Sequence, residues 1–485
     1  YAHLSREELE TRLASYEASS QSIASSSKLP LANARASKVK KTKRAFNFST
    51  YPTRHIALLI AYEGWTFSGL AIQPLVEATS PTVEGELLKA LERAKLIEAG
   101  KGWEGCGFSR CGRTDKGVSG AGQVVNLWVR SMKSKDHVRG PEGSWKEPSE
   151  ILPPRVKLEN QDASEQENSP PQSIREAKES FPAPEMFYPK ILNAHLPPSI
   201  RVLAWSPVNP TFDSRFSCKN RHYKYAFHLV PSPGSIPLDL EAMRQGAKRL
   251  IGEHDFRNFC KLDGSKQIEN HRRRVLKAWF DEPLASKDGD PSSSGMVMFN
   301  LVGTAFLWHQ VRHIMAVLFL IGSRLEYPSV VTELLDIDKY PRRPLYLMAD
   351  ALPLRLHECG YEPGDLDWRV GSYDGLTSEM QGDARAIELE ARGKLAGQLE
   401  NARQEAEIRT WQTSSALGRM TELFGAMRTE LPPAAHPMGG GDIRAGDKYV
   451  SIDKLSLGET VEVVNQTWRE GRGKVRQLQR DARAV

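Results

Sequence analysis

The run HIALLIAY, residues 55–62, is apolar at nearly every position, which predicts a strand covered on both faces. Ser80-Pro81 then opens a stretch in which Val83, Leu87, Leu91 and Ala94 recur at helical spacing, so a helix is expected with proline in its first turn. QVVNLWV (123–129) reads as the next strand, with Val125, Leu127 and Val129 on one face. A helix near PEMFYPKILNAHL (184–196) and a strand at IRVLAWSPV (200–208) follow. A second α/β unit begins near Phe212. In RHYKYAFHL (221–229) the alternation puts Tyr223, Tyr225, Phe227 and Leu229 on one face. A helix over 239–251 stops at Gly252, strands are expected near 273–280 and 296–303, and AFLWHQVRHIMAVLFLIGSRL predicts a long helix over 305–325. ALPLRLHECGY closes this unit near residue 361.

Between and beyond these units the apolar period disappears. Residues 5–19 form one exception, a short helix with Ser5 and Glu8 as capping box and Leu9, Leu13 and Tyr16 on one face. A Ser-rich and then basic linker runs to about residue 50. Residues 131–180 are rich in Lys, Glu, Ser and Pro and read as a disordered insertion. Residues 380–428 are charged and helical, and a glycine break at 439–441 precedes a basic tail. The layout is therefore an N-terminal helix and linker (1–50), a first half (51–208), a second half (209–361) and a charged helical extension (362–485).

A chain of 485 residues with 40% hydrophobic and 26% charged positions has room for two or three domains with proper cores. Its net charge of +6 points weakly to an anionic partner, but the clustering points further. Arg35 to Arg44 holds six cations and no acid, making Lys40, Lys41, Lys43 and Arg44 candidates for RNA contact or for nuclear import. His271 to Arg274 adds a second basic cluster. Five cysteines, at 106, 111, 218, 260 and 359, form no framework pattern and are expected as reduced thiols, with Cys218 and Cys260 as small core residues. No signal peptide is expected, and the most apolar run, IMAVLFLIG from Ile314, is half a membrane span.

Two features carry candidate chemistry. His309 and His313 stand at i and i+4, the spacing of two zinc ligands, but Gln310 replaces the glutamate such a site needs and no third ligand follows. No metal is expected there, and the two histidines are assigned to packing or RNA contact. The second feature is SRCGRTDKGVSG (109–120), which sets one carboxylate, Asp115, among Arg110, Arg113 and Lys116 on a glycine-rich loop. A carboxylate beside a buried guanidinium stays ionised and is a nucleophile or base rather than a proton donor. Arg312, flanked by Val311 and apolar Ile314, is the expected guanidinium, and Tyr223 is an aromatic ring able to stack on a nucleobase. The glycines match neither phosphate-binding fingerprint, so nothing calls for a nucleotide cofactor.

The loop GRTDKGV (112–118) resembles the catalytic motif of TruA-type tRNA pseudouridine synthases. YEGWTFSGLAIQ (62–73) is similar to the family's first motif, and TVEGELLKALERA to its following helix. FDSRFSCKNRHYKYAF (212–227), HDFRNFCK and FLWHQVRHIM resemble further family segments. Together they cover about residues 54–360, in family order, and are most similar to the eukaryotic branch acting at tRNA positions 38 and 39. The resemblance implies an α+β fold of two RNP-like α/β halves sharing one long, mainly antiparallel sheet, with the catalytic cleft between them and flexible terminal and inserted segments. It makes Asp115 the catalytic aspartate, has Arg113 evert or replace the target nucleotide, and pairs Arg312 with Asp115. Tyr223 would stack on the uracil, Lys116 and Arg110 would bind substrate, and Arg221 would contact RNA. It further implies a tRNA substrate, a homodimer and no cofactor; no membrane association is expected, and the expected location is nucleus and cytoplasm. Gly120 stands where the family commonly has alanine, an exchange expected to be harmless, and Glu63 also departs from the common pattern. The competing function on the same scaffold is a non-catalytic tRNA-binding or folding chaperone, which would have no need of Asp115.

Overall fold

The structure, a computed structural model, describes residues 46–73, 80–150, 185–230, 236–283, 295–372, 382–425 and 449–475. Its frame is one ten-stranded sheet. In the first part of the chain lie β1 (Thr53–Tyr62), β2 (Ser109–Arg110), β3 (Ser119–Arg130), β4 (Trp145–Lys146) and β5 (Ile200–Pro207). The second part supplies β6 (Asn220–His228), β7 (Gly252–Asp255), β8 (Arg272–Phe280), β9 (Met296–Gly303) and β10 (Leu354–Gly360). The order is β4-β1-β3-β10-β6-β9-β8-β7, with β5 also on β1 and β2 on β3. Every pairing is antiparallel except β3 with β10, which run parallel through Ser119, Gly120, Arg355 and Leu356. That short parallel joint is where the two parts of the sheet meet.

Helices cover the sheet where its apolar positions require it. α1 (Val83–Arg93) begins at Thr82, whose hydroxyl accepts from Gly85 N at 3.1 Å. It buries Val83, Leu87, Ala90 and Leu91 against Ile56, Leu58, Ile60, Val125, Leu127 and Val129 of the sheet, as the periodicity predicts. After the short α2 (Gly102–Gly105) comes α3 (Tyr188–Asn193), briefer than the expected 184–196. In the second part α4 (Leu240–Lys248) is capped by Asp239, and α5 (Gln310–Gly322) packs its apolar face on Tyr225, Phe227, Phe299 and Leu301. α6 (Val330–Leu335) sits beside them. Full burial of such side chains contributes roughly 1.5–3 kcal/mol each, which makes these two clusters the main source of stability. A third, small core on the opposite face joins Ala57, Val124, Phe212 and Cys218 to Leu356 and Cys359 of β10, so it spans the joint.

Three expectations change. The helix predicted over 305–325 begins only at Gln310, because His309 has φ 63° and ψ 9°, a left-handed conformation that no helix continues through. Residues 131–150 of the predicted disordered insertion are ordered: β4 pairs with Thr53 and Arg54, and Ser131 and Met132 bind the buried Glu185 at 2.7 and 3.0 Å. Glu185 in turn holds the buried Arg54 at 3.0 Å. Residues 151–184, like the predicted helix 5–19 and the basic linker with Lys40, Lys41, Lys43 and Arg44, lie outside the described residues. Third, the extension is not uniformly loose. Arg369 exchanges two 2.8 Å backbone bonds with Trp205, and residues 449–475 pack on loops of the second half, at Glu326, Arg343–Leu345 and Gly264–Ile268. There Ile452 enters the core, Leu345 N bonds Ser456 O at 2.9 Å, and α8 (Val461–Trp468) packs on residues 264–266. α7 (Gly382–Phe424) is the long charged helix the sequence predicts.

Candidate active site

The loop from Cys111 to Val118 links β2 to β3, and both β2 and β10 pair along the same edge of β3. The loop therefore sits directly on the joint of the sheet. Its shape is set by a turn in which Val118 N bonds Asp115 O at 3.1 Å, with Gly117 at φ 83°. Residues of the YEGWTFSGL segment clamp it from one side. The Tyr62 hydroxyl meets Thr114 Oγ1 at 2.8 Å, Leu70 N bonds Thr114 O at 3.2 Å, and Gly64 N bonds Ser119 Oγ at 3.0 Å. Gly69, at φ 91°, lies so close that a Cβ there would stand 2.9 Å from Thr114 O. The two sequence motifs are thus halves of one construction.

From the other side Arg221 braces the loop. Its guanidinium donates to the carbonyls of Thr304 (2.6 Å), Arg215 (2.9 Å), Cys111 (3.2 Å) and Cys218 (3.4 Å). A group spending donors on four carbonyls is a structural strut, and the same side chain, of which an RNA contact was expected, also lines the cavity. Arg110 is similarly engaged. It forms an ion pair with Glu84, a buried carboxylate on α1 that also accepts from Ile72 N at 3.0 Å, so the expected substrate contact meets a side chain already occupied. Arg113 and Lys116, by contrast, are exposed and have no hydrogen-bond or ion-pair partner among the described residues.

Asp115 lies on the wall of a cavity of about 850 Å³. Its Oδ1 accepts from Trp308 Nε1 at 3.1 Å, and its Oδ2 is 3.6 Å from His309 Nε2. Burial pushes its pKa above the usual carboxylate value, a rise that Arg312, the Trp308 hydrogen bond and Lys266 offset only in part. The direct Arg312–Asp115 pair expected from the resemblance is absent among the described residues. Arg312 Nε donates to Ala349 O at 2.8 Å, and its charge reaches Asp115 through space. Gln310, where a zinc site would need glutamate, accepts from Leu307 N at 2.8 Å and so caps the turn before α5. His309 and His313 do not converge: one meets Asp115, the other packs edge-on against Tyr346 at 5.5 Å. No cluster of three ligating side chains occurs among the described residues.

Tyr223, on β6 one strand from the joint, lines the cavity half-buried, its ring edge-on to Phe306 at 5.2 Å and 86°. Burial pushes its phenol well above the ordinary value, so the ring carries a neutral O–H. The cavity lining includes nine Lys or Arg side chains against Asp115 and Asp263. Lys261 and Lys266 stand over the Trp308 ring at 4.9 and 5.8 Å. Sequence reasoning passed over Trp308 altogether and gave His309 to packing or RNA contact. The signal was present in FLWHQVR, but helical spacing would have pointed the two away from each other. It also passed over Val461 and Asn465 of α8, which complete the wall from the far end of the chain.

A half-buried carboxylate in so cationic a wall fits one class, an enzyme whose cleft receives a polyanion. Comparison with known proteins then makes the class specific. A family model described as tRNA pseudouridine synthase matches residues 247–362. The chain is 36% identical over 433 residues to the tRNA pseudouridine(38/39) synthase of Saccharomyces cerevisiae, covering 88% of this chain and 80% of that protein. It is 39% identical over 326 residues to the human tRNA pseudouridine(38/39) synthase, covering 66% of this chain and 58% of the human one. With tRNA pseudouridine synthase A of Methanosarcina mazei it shares 29% over 285 residues, 59% of this chain and 77% of the archaeal one. The chain belongs to the tRNA pseudouridine synthase family, a family of isomerases.

Proposed function

We propose that this chain converts uridine to pseudouridine in the anticodon stem-loop of tRNA, at positions 38 and 39, with Asp115 as its catalytic carboxylate. The observation that carries the reading is the placement of one half-buried carboxylate at the sheet joint, on the wall of a cavity whose charged lining is mostly cationic. The reaction breaks the C1′–N1 bond, turns the uracil and joins C5 to C1′. The C5 hydrogen leaves as a proton and N1 gains one, so no oxidant or reductant is consumed. A carboxylate can serve by attacking C1′ or by removing a sugar proton, and Asp115 takes one of these two parts once a nucleotide is everted. Arg113 and Lys116, exposed beside it, are free to fill the space that nucleotide leaves. The Tyr223 ring offers a stacking face, worth about 1–3 kcal/mol per base. Arg312 offsets part of the cost of the Asp115 charge.

A non-catalytic tRNA-binding protein would have no use for a carboxylate held in place against burial and among phosphate-seeking cations. The reading includes the homodimer implied by family resemblance. It also includes a nuclear and cytoplasmic location, supported by the basic run from Arg35 to Arg44. The test is to treat unmodified tRNA with the purified chain and map pseudouridine. The wild type is expected to modify positions 38 and 39, and Asp115→Asn none, with tRNA binding retained because only a negative charge has left a positive cleft. Product from Asp115→Asn at the wild-type rate would remove the carboxylate from the chemistry.

A further inference from the structure

Trp308 and His309 are neighbours in sequence, yet both face the carboxylate of Asp115. Successive side chains on a helix diverge by roughly 100°, so a helix running through this point could not deliver both. The chain manages it by placing His309 in the left-handed region, φ 63° and ψ 9°, immediately before α5. A non-glycine residue there is uncommon and strained, and such strain collects at functional sites. The kink is not explained by capping, because the His309 side chain makes no cap bond to α5. Nor does the ring gain hydrogen bonds elsewhere: its Nδ1 is buried with no partner among the described residues. What the ring does meet is the Trp308 indole, at 4.6 Å between centroids, and Asp115 Oδ2 at 3.6 Å.

We propose that His309 is a positioning residue for Asp115, fixed by its left-handed backbone so that it walls Oδ2 while Trp308 holds Oδ1. One hydrogen bond alone leaves a carboxylate free to rotate about its Cβ–Cγ bond. A second contact on the other oxygen sets the carboxylate plane before the nucleotide arrives, which is what preorganised catalysis requires. Burial and the nearby charges of Arg312, Lys261 and Arg343 hold the His309 pKa down at about 4, so the imidazole walls the carboxylate without cancelling its charge. The inference rests on the reading of Asp115 as the reacting group.

The test uses the full chain, with tritium release from 5-labelled uridine in tRNA and thermal melts read together. Glycine adopts φ 63° without strain, so His309→Gly should raise Tm or leave it unchanged. Its kcat is expected to fall roughly 10- to 100-fold while KM stays near wild type, since only alignment is lost. Asparagine tolerates the same backbone and carries a donor, so His309→Asn should recover more turnover than His309→Ala. A side chain that merely packs gives the opposite pattern, with Tm and turnover falling together and Asn no better than Ala, and that result overturns the proposal. So does wild-type kcat in His309→Gly when Asp115→Asn is inactive. If Asp115→Asn itself stays active, the reading of Asp115 fails, and the inference on His309 falls with it.

Discussion

Asp115 keeps its charge at a cost, and the cost can be read from stability. Folding raises its pKa, chiefly through burial, above the ordinary value of about 3.9. The folded state thus holds the proton more tightly than the unfolded chain. Stability from this group is fully present below the unfolded value and is lost as pH rises through the folded one. At neutral pH the carboxylate is therefore a liability that Asn, which keeps an oxygen for Trp308, does not carry. Melting curves should show Asp115→Asn more stable than wild type at pH near 7, with the gap closing as pH falls through the acid range. An Asn variant less stable than wild type at neutral pH would mean that Arg312 and Lys266 outweigh burial. Gly120 makes a second point at this scale. A Cβ there would stand 2.5 Å from the Tyr62 ring, so Tyr62 fills the space that alanine would need. Asp115 and Tyr223 were legible as candidates from residue type and motif. Trp308 was not, and His309 stood out only for its zinc-like spacing to His313, because the direction of both depends on the left-handed backbone at His309.

The elements around the site are tied to it by braces rather than by the sheet alone. Arg221 links the loop at Cys111, the segment at Arg215–Cys218 and the turn at Thr304 through carbonyls alone. Replacing it by methionine leaves several of these acceptors unsatisfied, so Arg221→Met should cost roughly 2–4 kcal/mol. Turnover should fall with stability, while the salt dependence of tRNA binding should not change. A phosphate-binding role would instead reduce the log–log slope by about 0.7–0.9. Chemical denaturation and a salt titration separate the two roles. α8 works in the same way from farther along the chain. Gly264 lets Val464 O approach so closely that a Cβ would stand 2.6 Å from it, and Asn465 Nδ2 donates to Ile268 O at 3.3 Å. The loop so held carries Lys266, which lies over the Trp308 indole.

Over the whole molecule the dominant feature is the imbalance of charge. A net +6 spread over 485 residues is modest, but the cavity lining concentrates cations around two acids. Such a cleft draws a polyanion in and then leaves discrimination to shape and to the few groups at its floor. If the run from Arg35 to Arg44 extends this field, its removal should weaken tRNA binding and flatten the log–log salt slope by about 0.7–0.9 for each phosphate no longer neutralised. The rate at saturating tRNA should stay near wild type, because the cleft itself is intact. Equal slopes with and without the run would assign it to a task other than RNA binding.

By itself the sequence determined the strands with continuous or alternating apolar faces, the amphipathic α1 and α4, the charged α7, and the loop that carries Asp115. These follow from local periodicity, capping and composition, which act over a few residues and so are written in short stretches of chain. Only the tertiary structure decided what the charged groups do. Arg110 and Arg221, equal on the sequence to Arg113 and Lys116, became structural because Glu84 and four carbonyls lie within their reach. His309 left the helix, Ser131 and Met132 were pinned by Glu185 more than fifty residues away, and Asn465 joined a wall begun before residue 120. A charged side chain is satisfied by whichever partner folding brings near, and that partner's distance along the chain leaves no trace in local pattern.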